Sequence, residues 1–378
     1  MEQRTLGIAM NGVTGRMGYR QHLVRSILAI RDEGGVLLPD GSRVVPEPIL
    51  VGRDAAKLRA LALRHGLERW TTDLSEALDA CDVYFDAQIT QAREKAIKAA
   101  LAAGKHVYTE KPLAETLDGA LDLAHLASQA GVRHGVVQDK LFLPGLLKLR
   151  RLLDGGFFGR VLSVRGEFGY WVFEGDWQPA QRPSWNYRTE DGGGITLDMF
   201  CHWSYVLEHL FGPVEAVTAR IATHVPTRWD ENGSEYRATA DDAAYGIFEL
   251  SGGVIAQINS SWCTRVNRDE LVEFQVDGVE GSAVAGLHRC RIQHRAATPM
   301  PTWDPDAPTT ERFRDQWQEV PDNGVTDNGF KVQWEAFLRH VCAGTPFPHD
   351  FASGARGVAL AEAGLRSAAE GRRVVLDA

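Results

Sequence analysis

Residues 5–18 read TLGIAMNGVTGRMG, and the prediction of the fold begins with these residues. The apolar run Thr5–Met10 predicts a β-strand, and the glycine-rich turn Gly12–Gly18 follows it. A helix-like segment then runs from Arg16 to about Arg31. Glycines let the backbone approach a pyrophosphate closely, and the helix N-terminus behind them offers unpaired N–H groups. The pattern favours a nucleotide-binding strand–turn–helix unit over its alternative, a tight turn that binds nothing.

Strand-like and helix-like segments keep alternating over about the first hundred residues. Further strands are predicted at Pro48–Val51, Val83–Asp86 and His106–Thr109, with helical segments between them. This alternation predicts a parallel sheet covered by helices. The long connection at 32–47 contains a Pro-Asp-Gly turn between apolar pairs and predicts a small surface hairpin.

After about Lys140 the pattern becomes β-rich with alternating polarity. One helix is expected inside this part, at Ile195–Leu210, and two helices close the chain, at Gly329–Ala343 and Gly354–Glu370. Consecutive strands without intervening helices predict a second domain with a largely antiparallel sheet. The strands are predicted at Val161–Tyr170, Glu215–Ile221, Ala243–Leu250, Gly253–Ser260 and Leu271–Asp277.

Composition excludes several classes of protein. The chain has 378 residues, 44% of them hydrophobic and 24% charged, which is typical of a globular protein and not of a disordered one. No apolar run approaches the roughly 18 residues of a membrane span. The net charge of −9 argues against nucleic acid and anionic membranes as partners. Five scattered cysteines fit a reduced cytoplasm better than a disulfide framework or a zinc site.

The end of the second strand bears on which nicotinamide cofactor is bound. In NAD-binding units an acid at this point binds the ribose hydroxyls, but here the strand ends Val51-Gly52-Arg53. An arginine can hold a 2′-phosphate with two hydrogen bonds, so Arg53 favours NADP. The alternative is a solvated Arg53 with Asp54 serving the ribose.

Two further motifs carry candidate chemistry. AGKHVYTEKP (103–112) places Lys111 at a strand exit, where ligands bind in open α/β sheets, although a surface lysine at a turn is the alternative. GGGITLDMFCH (192–202) places Asp198 and His202 on one helical face, where a carboxylate can steady an imidazolium. Such a histidine can take a proton from an alcohol.

Three alternatives stand beside this interpretation of the Asp198–His202 pair. It can be a capping aspartate with a core histidine, an ordinary i, i+4 pair, or part of a metal site with His209. No nearby motif offers the further ligands that a metal needs, so no metal is predicted.

Taken together, the three motifs resemble the glucose–fructose oxidoreductase/inositol dehydrogenase family (Gfo/Idh/MocA). The resemblance implies an α/β Rossmann domain at 1–140. It also implies an α+β domain at 141–378 with a large, mostly antiparallel open sheet that binds substrate and forms dimers or tetramers. The closing helices are expected to pack back on the first domain. The implied reaction is the reversible oxidation of a sugar, glycoside or cyclitol hydroxyl to a ketone with NAD or NADP.

Family roles transfer to matching residues. Lys111 would contact the reacting hydroxyl and the nicotinamide ribose, Asp198 would orient the substrate and support the histidine, and His202 would be the general base. Glu110 would contact the cofactor side of its loop, and the Lys111–Pro112 bond would be cis. The residues expected to bind the cofactor are Gly12, Thr14, Gly15, Arg16, Met17, Gly52, Arg53, Thr90, Glu110 and Lys111.

The sequence also departs from the family pattern. The glycine turn has one extra residue and resembles the GxxGRMG turn of dihydrodipicolinate reductases. Gln88–Gln91 replaces a Thr-Pro-Asn turn, and Arg93 stands near the family's usual histidine. Asp139 replaces a familiar substrate contact and supplies an acceptor for a sugar hydroxyl.

The segment 167–188 suggests how the substrate is held. It carries three tryptophans, and flat apolar faces beside polar groups suit a pyranose or glycoside. We expect Trp177 and Trp185 to contact the substrate and Arg182 to meet an anionic group. The alternative is that these aromatic residues belong to the core or to a subunit interface.

Three hypotheses follow for the function. The first is a dehydrogenase of a sugar or cyclitol, with either a dissociable cofactor or one that is recycled in place. The second is a reductase of the dihydrodipicolinate or dihydrodiol type, which the glycine turn supports. The third is a nucleotide-binding regulator without catalysis, since fold does not fix function.

Overall fold

The computed structural model describes residues 3–300, 304, 306, 312–322, 324 and 328–376. They form two compact units. The first unit contains residues 3–142, 200–205 and 328–362, and the second contains the described residues of 143–199, 206–326 and 363–376. Within this part of the chain no helix is long and apolar enough to cross a membrane.

The first unit is built on a parallel sheet. Its strands are β1 (Gln3–Asn11), β2 (Val36–Leu37), β3 (Arg43–Val51), β4 (Trp70–Thr71), β5 (Val83–Asp86), β6 (His106–Thr109) and β7 (His134–Val136). Their order is β2-β3-β1-β5-β6-β7, with β4 also beside β3. Every pairing is parallel except β2 with β3. The sheet confirms the prediction from the alternating strands and helices.

Helices alternate with these strands, and further helices occur later in the chain. The first, α1, combines a π-helical segment, Gly18–Leu28, with one α-helical turn, Ala29–Asp32. The others are α2 (Ala55–His65), α3 (Leu74–Asp79), α4 (Thr90–Ala102), α5 (Leu117–Ala130), α6 (Pro144–Asp154), α7 (Ile195–Phe211), α8 (Gly329–Ala343) and α9 (Phe351–Glu370).

Apolar side chains bury both faces of the parallel sheet. On one face Ile8 and Met10 of β1 pack in a cluster that includes Trp334 of α8. On the other face Ala9 packs in a cluster that includes Val358 of α9. Because successive strand residues point to opposite faces, a strand covered on both sides is a continuous apolar run, as 5–10 is. The closing helices therefore supply part of this core.

The predicted surface hairpin at 32–47 is present and lengthens the second long strand. β2 pairs antiparallel with the start of β3, so β3 begins at Arg43 and not at Pro48. Pro46 lies between the stretches of β3 that pair with β2 and with β4. Proline donates no ladder hydrogen bond and is tolerated where one edge is unpaired, which explains why its presence did not end the strand.

The second unit carries a larger sheet of mostly antiparallel strands. The strands after β7 are β8 (Val161–Gly169), β9 (Val214–Ala222), β10 (Thr227–Trp229), β11 (Glu235–Arg237), β12 (Ala243–Leu250), β13 (Ile255–Ser261), β14 (Val272–Gly278), β15 (Gly281–Ala285), β16 (Cys290–His294), β17 (Gln318–Glu319) and β18 (Val374–Val375). The sheet order is β17-β16-β15-β14-β8-β13-β12-β9-β18, and only β8 with β13 is parallel. β10 and β11 form a separate hairpin that the sequence pattern did not predict.

Candidate active site

The glycine turn after β1 has the shape of a phosphate cradle. Gly12 has φ of +85°, and an added Cβ would lie 2.6 Å from the backbone of Ala87. A Cβ on Gly18 would lie 2.5 Å from the Gly12 carbonyl oxygen. At Gly15, by contrast, a Cβ would meet only that oxygen, at 3.3 Å, so the outer side of the turn is open. The turn therefore fits the pyrophosphate of a dinucleotide at the N-terminus of α1.

The other cofactor residues predicted on this turn are accessible. Thr14 and Arg16 are exposed with Gly15, and Met17 is half-buried. The structure places them between the end of β1 and the start of α1.

At the end of β3 the structure separates the roles of Arg53 and Asp54. Gly52 and Arg53 follow the strand, and Arg53 is exposed. Asp54 is the N-cap of α2, where its side chain accepts a hydrogen bond from the backbone N–H of Lys57 at 3.0 Å. This N–H lowers the pKa of Asp54. The Asp54 carboxylate already has a structural partner at the helix start.

A buried ion pair lies at the end of β5. Arg93 Nε is 3.3 Å from Asp86 Oδ1, and both side chains are almost fully buried. Arg93 also donates to the carbonyl oxygen of Gln88 at 2.8 Å and to that of Pro112. Arg93, which stands near the family's usual histidine, thus joins the loop after β5 to the loop that follows Glu110 and Lys111.

The Asp86 carboxylate is also linked, through Tyr84, to the end of β1, the strand that precedes the glycine turn. Tyr84 Oη donates to Asp86 Oδ2 at 2.6 Å and accepts from Asn11 Nδ2 at 3.0 Å. Burial and the nearby Asp86 raise the pKa of Tyr84 well above its usual value, so the phenol remains a donor. Asn11 immediately precedes Gly12, and this network therefore runs from the glycine turn to the lysine loop.

The Glu110 side chain is turned into the protein. Its Oε1 lies 2.8 Å from His22 Nε2, and its Oε2 accepts from the backbone N–H of Lys111 at 3.1 Å. Burial raises the pKa of Glu110, but the hydrogen bond from His22 and the charges of Lys111 and Arg93 lower it overall. Glu110 is therefore a buried carboxylate with both oxygens engaged.

The lysine loop lies against the middle of α7. The Lys111–Pro112 peptide bond is cis, as predicted. Lys111 and Pro112 line a narrow recess together with Gln138 and with Cys201 and Tyr205 of α7. These two residues of α7 flank His202, so the structure brings the lysine loop to the segment that carries the predicted base.

His202 is buried and held by a tyrosine one turn later. Tyr205 Oη lies 2.6 Å from His202 Nδ1 and accepts from the backbone N–H of Lys140 at 3.3 Å. Burial and the nearby Asp139 raise the pKa of Tyr205 well above its usual value, so it stays protonated at neutral pH. Tyr205 was not among the predicted site residues, although its i, i+3 spacing from His202 is visible in the sequence.

In the second unit Asp198 is paired with Arg182. Arg182 Nη1 lies 3.3 Å from Asp198 Oδ2, and Arg182 also donates to Tyr170 Oη at 2.8 Å and Asn186 Oδ1 at 3.1 Å. Its guanidinium stacks 4.2 Å above the ring of Trp262. Burial disfavours its charge, but Asp198 and Tyr170 hold the pKa of Arg182 above the usual value. The positive charge of Arg182 is thus balanced inside the protein.

The remaining predicted residues lie in different surroundings. Asp139 is buried, with Lys140 Nζ 2.7 Å from its Oδ2. Thr90 is buried at the first position of α4. Trp177 is 67% exposed and packs edge-on against Phe173, and Trp185 is half-buried.

Comparison with known proteins identifies the family. Residues 7–138 match the oxidoreductase family with an NAD-binding Rossmann fold, and residues 146–284 match the GFO/IDH/MocA C-terminal domain. A D-xylose dehydrogenase of Paenarthrobacter nicotinovorans is 64% identical over 373 residues, which cover 97% of this chain and 96% of that protein. The chain belongs to the Gfo/Idh/MocA family of oxidoreductases.

More distant Gfo/Idh/MocA proteins share the fold. A levoglucosan dehydrogenase of Pseudarthrobacter phenanthrenivorans is 25% identical over 246 residues, which cover 60% of this chain and 62% of that protein. The structure of a levoglucosan dehydrogenase in complex with NADH and L-sorbose superposes with a TM-score of 0.81 at 20% identity, over 98% of this chain and 99% of that one. The expected fold, a Rossmann domain followed by a domain with a large sheet, is confirmed.

These matches favour the first of the three functional hypotheses, an NAD(P)-dependent oxidoreductase. In the described part of the chain no three His, Cys, Asp or Glu side chains come together as a metal site. Two residues that support the lysine loop were not predicted from the sequence. His22 looked like an ordinary helix residue, and Trp334 lies more than two hundred residues beyond the loop that it helps to support. Arg93 was noted only for its place near the family's usual histidine, and its ion pair with Asp86 was not predicted.

The pairing of Arg182 predicts a stability effect. Arg182→Gln removes the guanidinium that pairs with Asp198 and donates to Tyr170, so we expect the free energy of unfolding to fall by ~2 kcal/mol. Arg295→Gln is the matched control, because Arg295 pairs with Glu280 on the exposed surface and its loss should cost less than ~0.5 kcal/mol. Urea denaturation of both variants measures the difference, and equal losses would contradict the internal role of Arg182.

Proposed function

We propose that this protein is a dehydrogenase that oxidises D-xylose, or a closely related sugar, at a CH–OH group with NADP. The observation that carries the proposal is the 64% identity, over nearly the whole chain, to a D-xylose dehydrogenase. Relatives with lower identity carry the names levoglucosan, D-apiose and scyllo-inositol dehydrogenase. A neutral polyhydroxylated ring or chain is common to these substrates.

The proposed chemistry needs alignment and one proton transfer from the protein. A bound nicotinamide supplies the hydride acceptor. Lys111 contacts the reacting hydroxyl, where its ammonium group favours the ionised oxygen and aligns the C–H bond for transfer. Asp198 orients the substrate, and its pairing with Arg182 supports a fixed orientation of the carboxylate. The product is the corresponding carbonyl compound.

His202 takes the proton from the hydroxyl during oxidation and returns it during reduction. The close contact with Tyr205 supports this role because it restrains the imidazole ring. With its proton on Nδ1, His202 donates to Tyr205 Oη, which has a second lone pair for the Lys140 N–H. The base is then Nε2.

Three observations support NADP as the preferred cofactor. Asp54 caps α2 and is engaged by Lys57, so its carboxylate is occupied where an NAD enzyme would need it for the ribose. Arg53 is exposed at the exit of β3, and Arg16 is exposed on the neighbouring glycine turn. Two guanidinium groups at this edge suit a 2′-phosphate.

The cofactor residues proposed from the sequence remain part of this assignment. The glycine turn with Thr14 and Met17 would hold the pyrophosphate, and Arg16 beside Arg53 would reach the 2′-phosphate. Thr90 with Lys111 would lie on the nicotinamide side. Because both oxygens of Glu110 are engaged internally, Glu110 would act on the cofactor through the backbone of its loop.

Residues 1–140 would bind the cofactor and residues 141–378 the substrate. Asp139, Trp177 and Trp185 would hold sugar hydroxyls and ring faces, and Arg182 would act through Asp198 instead of meeting an anionic substrate.

We also propose that the open face of the large sheet joins subunits into dimers or tetramers. Tyr245, Ile247 and Ile255 are 40–47% exposed on adjacent strands of that face, an unusual number of large apolar groups. A cytoplasmic location is proposed from the scattered cysteines and the cofactor.

The catalytic assignment predicts the effect of two truncations. Lys111→Ala and His202→Ala should each lower kcat for D-xylose oxidation by roughly 10²–10⁴-fold, because each removes a group that acts on the reacting hydroxyl. Lys98→Ala, which removes a surface lysine paired with Asp122, is the control and should change kcat less than about 2-fold. Near-wild-type turnover in either catalytic variant would overturn its assigned role.

The cofactor assignment predicts a selective loss. Arg53→Ala should raise the KM for NADP at least ~10-fold and leave the KM for NAD within about 2-fold, because only NADP carries the 2′-phosphate. Asp54→Asn keeps a capping oxygen for α2 and should change neither value. A parallel loss for both cofactors in Arg53→Ala, or a selective loss for NAD in Asp54→Asn, would reject the NADP preference.

A further inference from the structure

His22 is buried at a point where three parts of the first unit meet. It lies on α1, which follows the glycine turn, and its side chain is 0% exposed. Its Nε2 is 2.8 Å from Glu110 Oε1, and its Nδ1 accepts from Trp334 Nε1 of α8 at 2.9 Å. Neither His22 nor Trp334 has a role in the chemistry proposed above.

The two hydrogen bonds fix the tautomer of this histidine. Indole N–H is only a donor, so His22 Nδ1 must be an acceptor and carries no proton. The imidazole proton is then on Nε2, where it is donated to the Glu110 carboxylate. The ring centroids of Phe85 and Phe330 lie 4.4 and 5.1 Å from that of the imidazole, and these apolar rings keep water away from it. The donor to Glu110 therefore has one orientation.

Because its carboxylate is fixed by His22, Glu110 in turn restrains the backbone of Lys111, the residue proposed to act on the substrate hydroxyl. Its Oε2 accepts from the Lys111 backbone N–H, and its own N–H donates to the carbonyl oxygen of Asp86 at 2.8 Å. On the other side of Lys111, the Pro112 carbonyl is held by Arg93. The backbone around Lys111 is thus held on both sides. On the Glu110 side, His22 donates to the carboxylate that accepts from the Lys111 N–H.

We propose that His22, oriented by Trp334, is a positioning residue of the reaction that fixes Glu110 and thereby sets the place from which Lys111 acts. The inference rests on the function proposed above and adds two residues to it. It also gives a role to the carboxylate beside Lys111, which is a fixed acceptor for the loop backbone. Loss of the His22 donor would leave this carboxylate buried and short of a partner.

The test compares two replacements of His22. Glutamine offers one N–H for Glu110 and one oxygen for the Trp334 N–H, whereas leucine fills space and offers neither. We expect His22→Leu to lower kcat for D-xylose oxidation at least 10-fold and to change the KM for NADP less than 3-fold. His22→Gln should recover kcat to within about 3-fold of wild type. Trp334→Phe keeps an aromatic side chain but removes the indole N–H, and it should give an intermediate loss of kcat.

Ile27→Ala separates positioning from general destabilisation. Ile27 is fully buried on the same helix as His22, in the apolar cluster that contains Trp334. Its side chain is apolar and takes no part in the hydrogen bonds of His22, Trp334 and Glu110. All variants are assayed at a temperature at which circular dichroism shows them folded, and melting temperatures are recorded alongside. Ile27→Ala should lower the melting temperature and leave kcat within about 3-fold.

Two results would overturn the inference. One is an equal loss of kcat in His22→Leu and Ile27→Ala, and the other is the failure of His22→Gln to recover kcat. Lys111→Ala, assayed in parallel, keeps the two proposals distinct. If Lys111→Ala abolishes turnover while His22→Leu does not change it, only the positioning role fails. If Lys111→Ala keeps full turnover, the proposed catalysis itself fails.

Discussion

The buried ion pair of Asp86 and Arg93 is the contact on which the candidate site depends. Removing two charges from water is costly, and here the cost is offset by a full set of hydrogen bonds. Asp86 accepts from Tyr84, from the Gln88 backbone and from Arg93, and Arg93 also donates to two loop carbonyls. A pair of this kind resists displacement because loss of one partner leaves a buried charge behind. The loops after β5 and β6 are therefore fixed relative to β1.

The lysine loop is held by two separate networks. Arg93 holds the Pro112 carbonyl, and the chain of Trp334, His22 and Glu110 holds the backbone N–H of Lys111. Both networks lie in the first unit and use groups that are almost fully buried. When the backbone of a lysine cannot shift, the positions that its ammonium group can reach are restricted. This arrangement provides a physical reason for placing a carboxylate and a proline on either side of the lysine.

Much of the fold follows from local sequence patterns, and the errors have physical causes. The run 5–18 predicted β1, the glycine turn and α1 because strand, turn and helix signals agree there. β3 was predicted too short: the predicted strand began at Pro48, whereas the observed strand begins at Arg43, and its partly unpaired edge tolerates the prolines within it. The β10–β11 hairpin was missed because each strand is only three residues long. The supporting residues of the site were missed because their partners are distant in sequence: Trp334 and His22 are 312 positions apart. Arg182 shows the same limit, because its pairing with Asp198 is set by tertiary structure.

The proposed removal of hydride from a sugar CH–OH group can be followed by isotope transfer. Purified protein is mixed with oxidised NADP and D-xylose that carries deuterium on every carbon, and the reduced cofactor is analysed by mass spectrometry. We expect the reduced nicotinamide ring to carry deuterium, because the hydride is transferred directly from the sugar carbon. Absence of reduced cofactor with either NADP or NAD, or a reduced cofactor without deuterium, would contradict it.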